Sequence, residues 1–191
     1  ALKGGSDGVR KITVIGAHQD ESIPLTALIL ARVLSQDSKV VLIDLAMASS
    51  VLSAVSTDPG APGLTELMQG AASSGDIITK DRLSGVHIVG AGRDASQRQL
   101  LQLPRINLAS DALSRAYDYV VLDAGTASDL PASVIAAQAH AVIIPDPTIT
   151  ADAREVMKNQ LLASGFTGVS ILTLAPTAMD LAIPGERVAA A

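Results

Sequence analysis

The chain of 191 residues is 48% hydrophobic and 17% charged, with a net charge of −5 and no cysteine. That composition fills the core of one domain and excludes general disorder, while the missing thiols exclude disulfides, thiolate metal sites and a cysteine nucleophile. One Phe, two Tyr and no Trp leave no stacking platform for single-stranded nucleic acid, and the thinly spread basic residues leave no phosphate-tracking surface.

Residues 1–10, with Gly4, Gly5 and Gly8, read as a flexible lead-in or linker. Residues 11–16 form a β-branched run closed by Gly16, which predicts a buried strand. A helix is predicted over 24–35, with Pro24 in a first turn that does not need its missing N–H. Its apolar residues run nearly all round, so it is expected to be deeply packed or partly covered by a partner. Residues 39–44 give a second strand whose unbroken apolar character suits a parallel sheet covered on both faces. Further strands are predicted at 86–89, 119–123, 141–144 and 169–174, with helices at 64–69, 106–115, 132–138 and 152–164. This alternation predicts an α/β fold, a doubly wound and mainly parallel sheet with helices on both faces, over residues 11–176. Residues 177–191, with Pro184, Gly185 and a run of Ala, read as a loose tail. No apolar run is long enough to span a membrane.

In such a sheet the ligand crevice lies beyond the carboxyl ends of the strands. Residues 16–24, 44–50 and 123–130 are expected there. Asp44 and Asp123 each close a run of apolar strand residues, where an acid orients a phosphate-linked magnesium or a metal-bound water, or else caps a turn. Two acids at equivalent strand ends favour a present or former site over two separate caps. Ser128 and Ser133 lack the Gly-x-Ser-x-Gly frame of an acyl-transfer nucleophile. Gly90-Ala91-Gly92-Arg93 reads as a turn, and Arg93, Arg98 and Arg105 read as scattered solvated charges. Asp146 and Asp152 bracket a turn and a helix start, where acids favour the positive helix terminus.

Together with the strand order, three segments carry a resemblance: Gly63-Leu64-Thr65-Glu66-Leu67-Met68-Gln69-Gly70; Ser84-Gly85-Val86-His87-Ile88-Val89-Gly90-Ala91-Gly92-Arg93; and Tyr117-Asp118-Tyr119-Val120-Val121-Leu122-Asp123. In this order and spacing, over residues 10–176, the chain resembles the bacterial tyrosine kinases. These are the cytoplasmic P-loop domains of exopolysaccharide and capsule export, relatives of the septum- and chromosome-positioning ATPases. The resemblance implies a nucleotide site built on three motifs, and the chain departs from each. Gly16, His18, Asp20, Glu21, Ser22, Ile23 and Pro24 occupy the phosphate loop. Two of the family's loop glycines fall at Asp20 and Ser22, its phosphate lysine at Ile23 and its magnesium-binding hydroxyl at Pro24. Asp20 would face phosphate as a like charge, a repulsion of roughly 3 kcal/mol at about 5 Å and an effective dielectric of 20. Asp44-Leu45-Ala46-Met47-Ala48 keeps the first acid of the second motif but not its second acid or Arg, and Asp123-Ala124-Gly125 lacks the Pro of the third. The adenine-facing Asn of the related ATPases and the Tyr-rich tail of the kinases also have no counterpart.

The expectation is therefore a non-catalytic scaffold or regulatory domain with no required cofactor, retaining at most weak ATP and magnesium binding at Asp44 and Asp123. What the resemblance implies for partners is a membrane chain-length regulator or a second copy, at the cytoplasmic face of the inner membrane. A degenerate positioning ATPase of a pilus-assembly or partitioning system is the nearest variant. A different chemistry fits the same loop. Ala17-His18-Gln19-Asp20-Glu21 is similar to the Ala-His-Pro-Asp-Asp-Glu signature of zinc-dependent N-acetylglucosaminyl deacetylases, over residues 11–45. That similarity implies His18 and Glu21 as zinc ligands, Asp20 as general base, and His87 or His140 as third ligand.

Overall fold

The computed structural model describes residues 10–47, 50–94, 99, 105–126, 139–144 and 146–172. In chain order it contains β1 (Arg10–Gly16), α1 (Ser22–Leu34), β2 (Val40–Asp44), α2 (Val51–Val55), α3 (Leu64–Gln69), β3 (Ile78–Lys80), β4 (His87–Val89), α4 (Arg105–Ala116), β5 (Tyr119–Thr126), β6 (Ala139–Ile143), α5 (Ala151–Ala163) and β7 (Gly168–Ile171). The strands form one sheet in the order β3-β4-β2-β5-β1-β6-β7. Every neighbouring pair is parallel except β3 with β4. This is the doubly wound α/β fold expected from the alternation of strands and helices.

Successive strand residues feed two separate cores, which explains the unbroken apolar runs. Val41, Ile43, Val120, Leu122 and Ala124 enter one, on the face of α4 and α5. Val40, Leu42, Tyr119 and Val121 enter the other, with Ile23, Ala27, Leu28 and Ala31 of α1. Asp44 and Asp123 continue this second alternation and so stand on the α1 face.

Several elements differ from the sequence expectation. Helix α1 begins at Ser22 rather than Pro24, and only its inner face is buried. Leu25, Ile29 and Val33, four residues apart, form an exposed apolar stripe on its outer side. Strand β5 does not end at Asp123 but runs on to Thr126, with a register shift against β1 between Val14 and Gly16. The short elements α2 and β3 were not foreseen, being too brief to show a period. The proposed helix at 132–138, Ser128, Ser133, Arg98 and the tail lie outside the described residues.

An ion pair ties α1 to the turn between β3 and β4. The Arg32 guanidinium donates to both Asp81 carboxylate oxygens at 2.8 Å, and the Ser84 hydroxyl adds a third bond at 2.6 Å. Burial alone would raise the Asp81 pKa, but Arg32 and Ser84 together hold it below the usual carboxylate range. Replacing Arg32 by Ala strands a buried carboxylate and is expected to cost about 3 kcal/mol in equilibrium urea unfolding. Thr13 offers the opposite change. Its hydroxyl is fully buried with no hydrogen-bond partner among the described residues, so Thr13→Val should gain about 1 kcal/mol in the same assay.

Candidate functional site: the crevice at the ends of β1, β2 and β5

Three strand ends converge at the carboxyl edge of the sheet. Asp44 of β2 and Asp123 of β5 are direct register partners on adjacent parallel strands. They are 4% and 1% exposed respectively. Each turns one oxygen to a backbone amide a few residues on, in the turn after β2 for Asp44 and within β5 itself for Asp123. The Met47 amide donates to Asp44 Oδ1 at 2.9 Å, and the Gly125 amide to Asp123 Oδ1 at 3.2 Å. Met47 is held at a positive φ of 52° by this tight turn. The second carboxylate oxygen of Asp123, Oδ2, is buried without a hydrogen-bond partner among the described residues.

The loop after β1 is closed by its own side chains. A Cβ on Gly16 would lie 2.8 Å from Ile23 Cγ1 and 3.1 Å from the His18 carbonyl oxygen. Only the absence of that Cβ lets Ile23, 1% exposed, fold back over the strand end. Ile23 and Pro24 are thus buried on the inner face of α1. Asp20 stands at the N-terminus of α1, where the Ser22 amide donates to its Oδ1 at 2.9 Å. The protein therefore supplies its own carboxylate to a helix end that would otherwise attract an anion. Glu21 is the exposed N-cap residue and makes no side-chain capping bond.

His18 has a side chain 72% exposed and Nε2 lies 3.9 Å from Asp146 Oδ2. The other two histidines lie at the far ends of their strands. His87 opens β4, level with Val41, and its Nδ1 is 2.6 Å from the Tyr117 hydroxyl. His140 lies inside β6 rather than before it, level with Ile12, with Nε2 2.8 Å from the Ser170 hydroxyl. The structure does not bring either to His18. Among the described residues no group of three His, Asp or Glu side chains is spaced to hold a metal ion.

The segments that carry the sequence resemblance do meet, in a structural role. Leu64 and Thr65 amides donate to Gly90 and Ala91 carbonyls at 3.0 Å, docking α3 on the loop after β4. The Glu66 carboxylate accepts from the Gly63 and Arg93 amides at 2.8 and 3.0 Å. Burial opposes its ionisation, yet these amides hold its pKa below the usual value. The Arg93 side chain is not merely solvated, since it donates to the Gly60 carbonyl at 3.2 Å. Asp146 accepts from the Thr148 amide and hydroxyl in a turn, and α5 is capped instead by Thr150.

The crevice itself is a cleft of about 270 Å³ lined by Gln19, Asp20, Glu21, Ala46, Asp123 and Gly125, with Ile23, Pro24 and Ser50 completing it. Gln19, Ala46 and Ser50 fall within the segments 16–24 and 44–50 expected at the crevice, although their side chains were assigned no role there. Gly125 was quotable only as the residue two beyond Asp123. Its φ of 64° and the approach of Ala46 Cβ, 3.1 Å from where its own Cβ would stand, explain a glycine there.

No protein-family model and no curated protein matches the chain. Solved structures share its fold. The VpsO kinase domain superposes with a TM-score of 0.69 at 21% identity, over 87% of this chain and 86% of that one. The kinase domain of the Escherichia coli tyrosine kinase Etk gives 0.70 at 20% identity, over 88% and 70%. The septum site-determining protein MinD of Pyrococcus horikoshii, solved with Mg-ADP, gives 0.67 at 18% identity, over 85% and 69%. The chain thus has the P-loop NTPase-like fold of bacterial tyrosine kinase domains and MinD-type ATPases. A nucleotide with magnesium is the group that this fold implies, and the residues present do not fit it. Ile23 fills the loop, Asp20 already accepts from the helix end, and the cleft beside them is lined by acids.

Burial pushes the Asp123 carboxyl up to about 7, the neighbouring Asp44 adds to the rise, and the Gly125 amide opposes it. Unfolded aspartate titrates near 3.9, so the native state holds the extra proton between about pH 4 and 7. Stability contributed by this group is therefore full below pH 4 and falls as pH rises to 7, by about 4 kcal/mol in total. His87, whose pKa burial and Lys80 depress, works in the opposite direction over part of that window. The clean readout is the difference between wild type and Asp123→Asn in urea unfolding. The variant is expected to be more stable at pH 8 and to lose most of that advantage near pH 4.

Proposed function

We propose that this chain is a non-catalytic domain on a P-loop fold that acts by contact with a partner protein, without transferring phosphate. The observation that carries this reading is the closed loop: Ile23 packed on Gly16, with the Asp20 carboxylate on the Ser22 amide. A phosphate would have to displace a buried side chain and a carboxylate, with no lysine from the loop to offset the cost. The sequence resemblance and the shared fold with tyrosine kinase domains support a setting in bacterial exopolysaccharide synthesis and export. There the partner is a membrane chain-length regulator or a second copy, at the cytoplasmic face of the inner membrane. The exposed Leu25, Ile29 and Val33 stripe on α1 supports contact with another chain. No helix among the described residues is long and apolar enough to cross a membrane.

Thermal unfolding of metal-stripped protein with millimolar ATP and magnesium, ADP and magnesium, or zinc tests this. A ligand at one hundred times its dissociation constant stabilises by about 2.7 kcal/mol, roughly 5–10 °C for a domain of this size. The expected result is no shift in any arm. A nucleotide shift overturns the proposal. A zinc shift abolished by His18→Ala replaces it with the metal-dependent hydrolase alternative.

A further inference from the structure

The acidic crevice lies at the carboxyl edge of the sheet, and the amino edge, where the parallel strands begin, is charged in the opposite sense. Arg10, Lys11, Lys39, Lys80, Arg82 and Arg115 are far apart in the chain, so their thin spread hides what the fold brings together. Lys80 ends β3, Arg82 lies in the β3–β4 turn, Lys39 precedes β2, Arg115 lies in the last turn of α4, and Arg10 and Lys11 open β1. The ladders set Lys80 level with His87, Val41, Val120 and Lys11 in turn. The row thus follows one level across five strands, about 19 Å at about 4.8 Å per strand. Against these bases stand Asp37, Asp111 and Asp118, and Asp111 is already bonded to Lys11 at 3.3 Å. Asp81 is answered by Arg32. One edge of a chain with a net charge of −5 is therefore positive.

Helix ends explain part of this charge. Arg32 and Arg115 lie in the last turns of α1 and α4, where a cation answers the negative helix terminus. Lys39, Lys80 and Arg82 lie in no helix, are exposed, and form no ion pair among the described residues. A second feature stands beside them. Leu83 follows Arg82 in the same turn and is 80% exposed, more than any other large apolar side chain described. Unpaired bases beside a projecting apolar side chain suit an anionic bilayer, where charge draws the edge to the headgroups and the leucine enters the boundary beneath them. The phosphates of a nucleic acid offer Leu83 nothing apolar, and none of the described cavities opens among these bases to anchor a protein side chain. The crevice acids do not cancel the attraction. Lys39 and Asp44 are about 16 Å apart along β2 at about 3.3 Å per residue, roughly twice the screening length of about 8 Å at physiological salt. We propose that the amino edge of the sheet, through Lys39, Lys80, Arg82 and Leu83, docks directly on a membrane surface of anionic phosphate headgroups. The crevice then faces away from the bilayer. The inference goes beyond the reading above and does not depend on whether the crevice takes a nucleotide.

The test is flotation of the 191-residue chain with vesicles of phosphatidylcholine, with or without about 30% phosphatidylglycerol. Binding is expected to the anionic vesicles alone, and to weaken at least about tenfold between about 50 and 500 mM salt. The combined variant Lys39→Gln, Lys80→Gln, Arg82→Gln should weaken it by about two orders of magnitude, at about fivefold per base. Leu83→Asn should weaken it at least about threefold. Arg93→Gln, which removes a base beyond the other end of β4, should leave it unchanged. All these positions are exposed, so each variant is expected to keep the wild-type urea midpoint. No binding to anionic vesicles at the lower salt, binding untouched by the combined variant, or an equal loss in Arg93→Gln overturns the inference. Duplex DNA or polyglutamate bound as tightly as the vesicles, with no effect of Leu83→Asn, overturns the assignment to lipid. Release from the vesicles by millimolar inorganic phosphate at constant ionic strength overturns it too, and leaves a discrete phosphate site in place of a docking surface.

Discussion

Two carboxylates face one another across adjacent parallel strands, and the rest of the site is arranged around that conflict. Asp44 and Asp123 are fixed in register by the β2–β5 ladder, so neither can move away without breaking the sheet. In a nucleotide-binding relative of this fold, a cation or a loop lysine answers such acids. Here Ile23 supplies a buried methyl group instead, and each Asp turns one oxygen to a backbone amide two or three residues on. The remaining strain falls on Asp123, whose second oxygen has no partner and whose proton is retained to about pH 7. The result is a small acidic cleft.

The sheet was legible in the sequence for a simple physical reason. Strands covered on both faces need apolar residues at every position, so runs such as 40–43 and 119–122 stand out without any alternation. Helix α3 was legible from its ending glycine and from Glu66 three residues after Gly63, although the reach of Glu66 to the Arg93 amide was not. Elements α2 and β3 were too short to show a period. The Arg32–Asp81 pair, 49 residues apart, had no local pattern to reveal it. Of the site, the acids and the altered loop could be read directly. The closing of Ile23 onto Gly16 could not, because a substitution at a lysine position shows what is missing and not what fills the gap.

That filling also decides what the fold can do. The same scaffold that positions phosphates at a helix N-terminus in relatives here positions Asp20 there. The helix dipole favours the carboxylate as it would a phosphate, so Asp20 stabilises the start of α1. A shared fold therefore does not by itself fix what the crevice binds.

The most direct measurement is the titration of the Asp123 side-chain carboxyl by ¹³C NMR, assigned by its loss in Asp123→Asn. The account predicts a midpoint near 7 in the isolated chain, the mark of a dry carboxyl beside Asp44 with no cation answering it. A midpoint at or below the ordinary aspartate value near 3.9 would mean that water or a cation reaches the crevice floor, and would contradict the closed-site account.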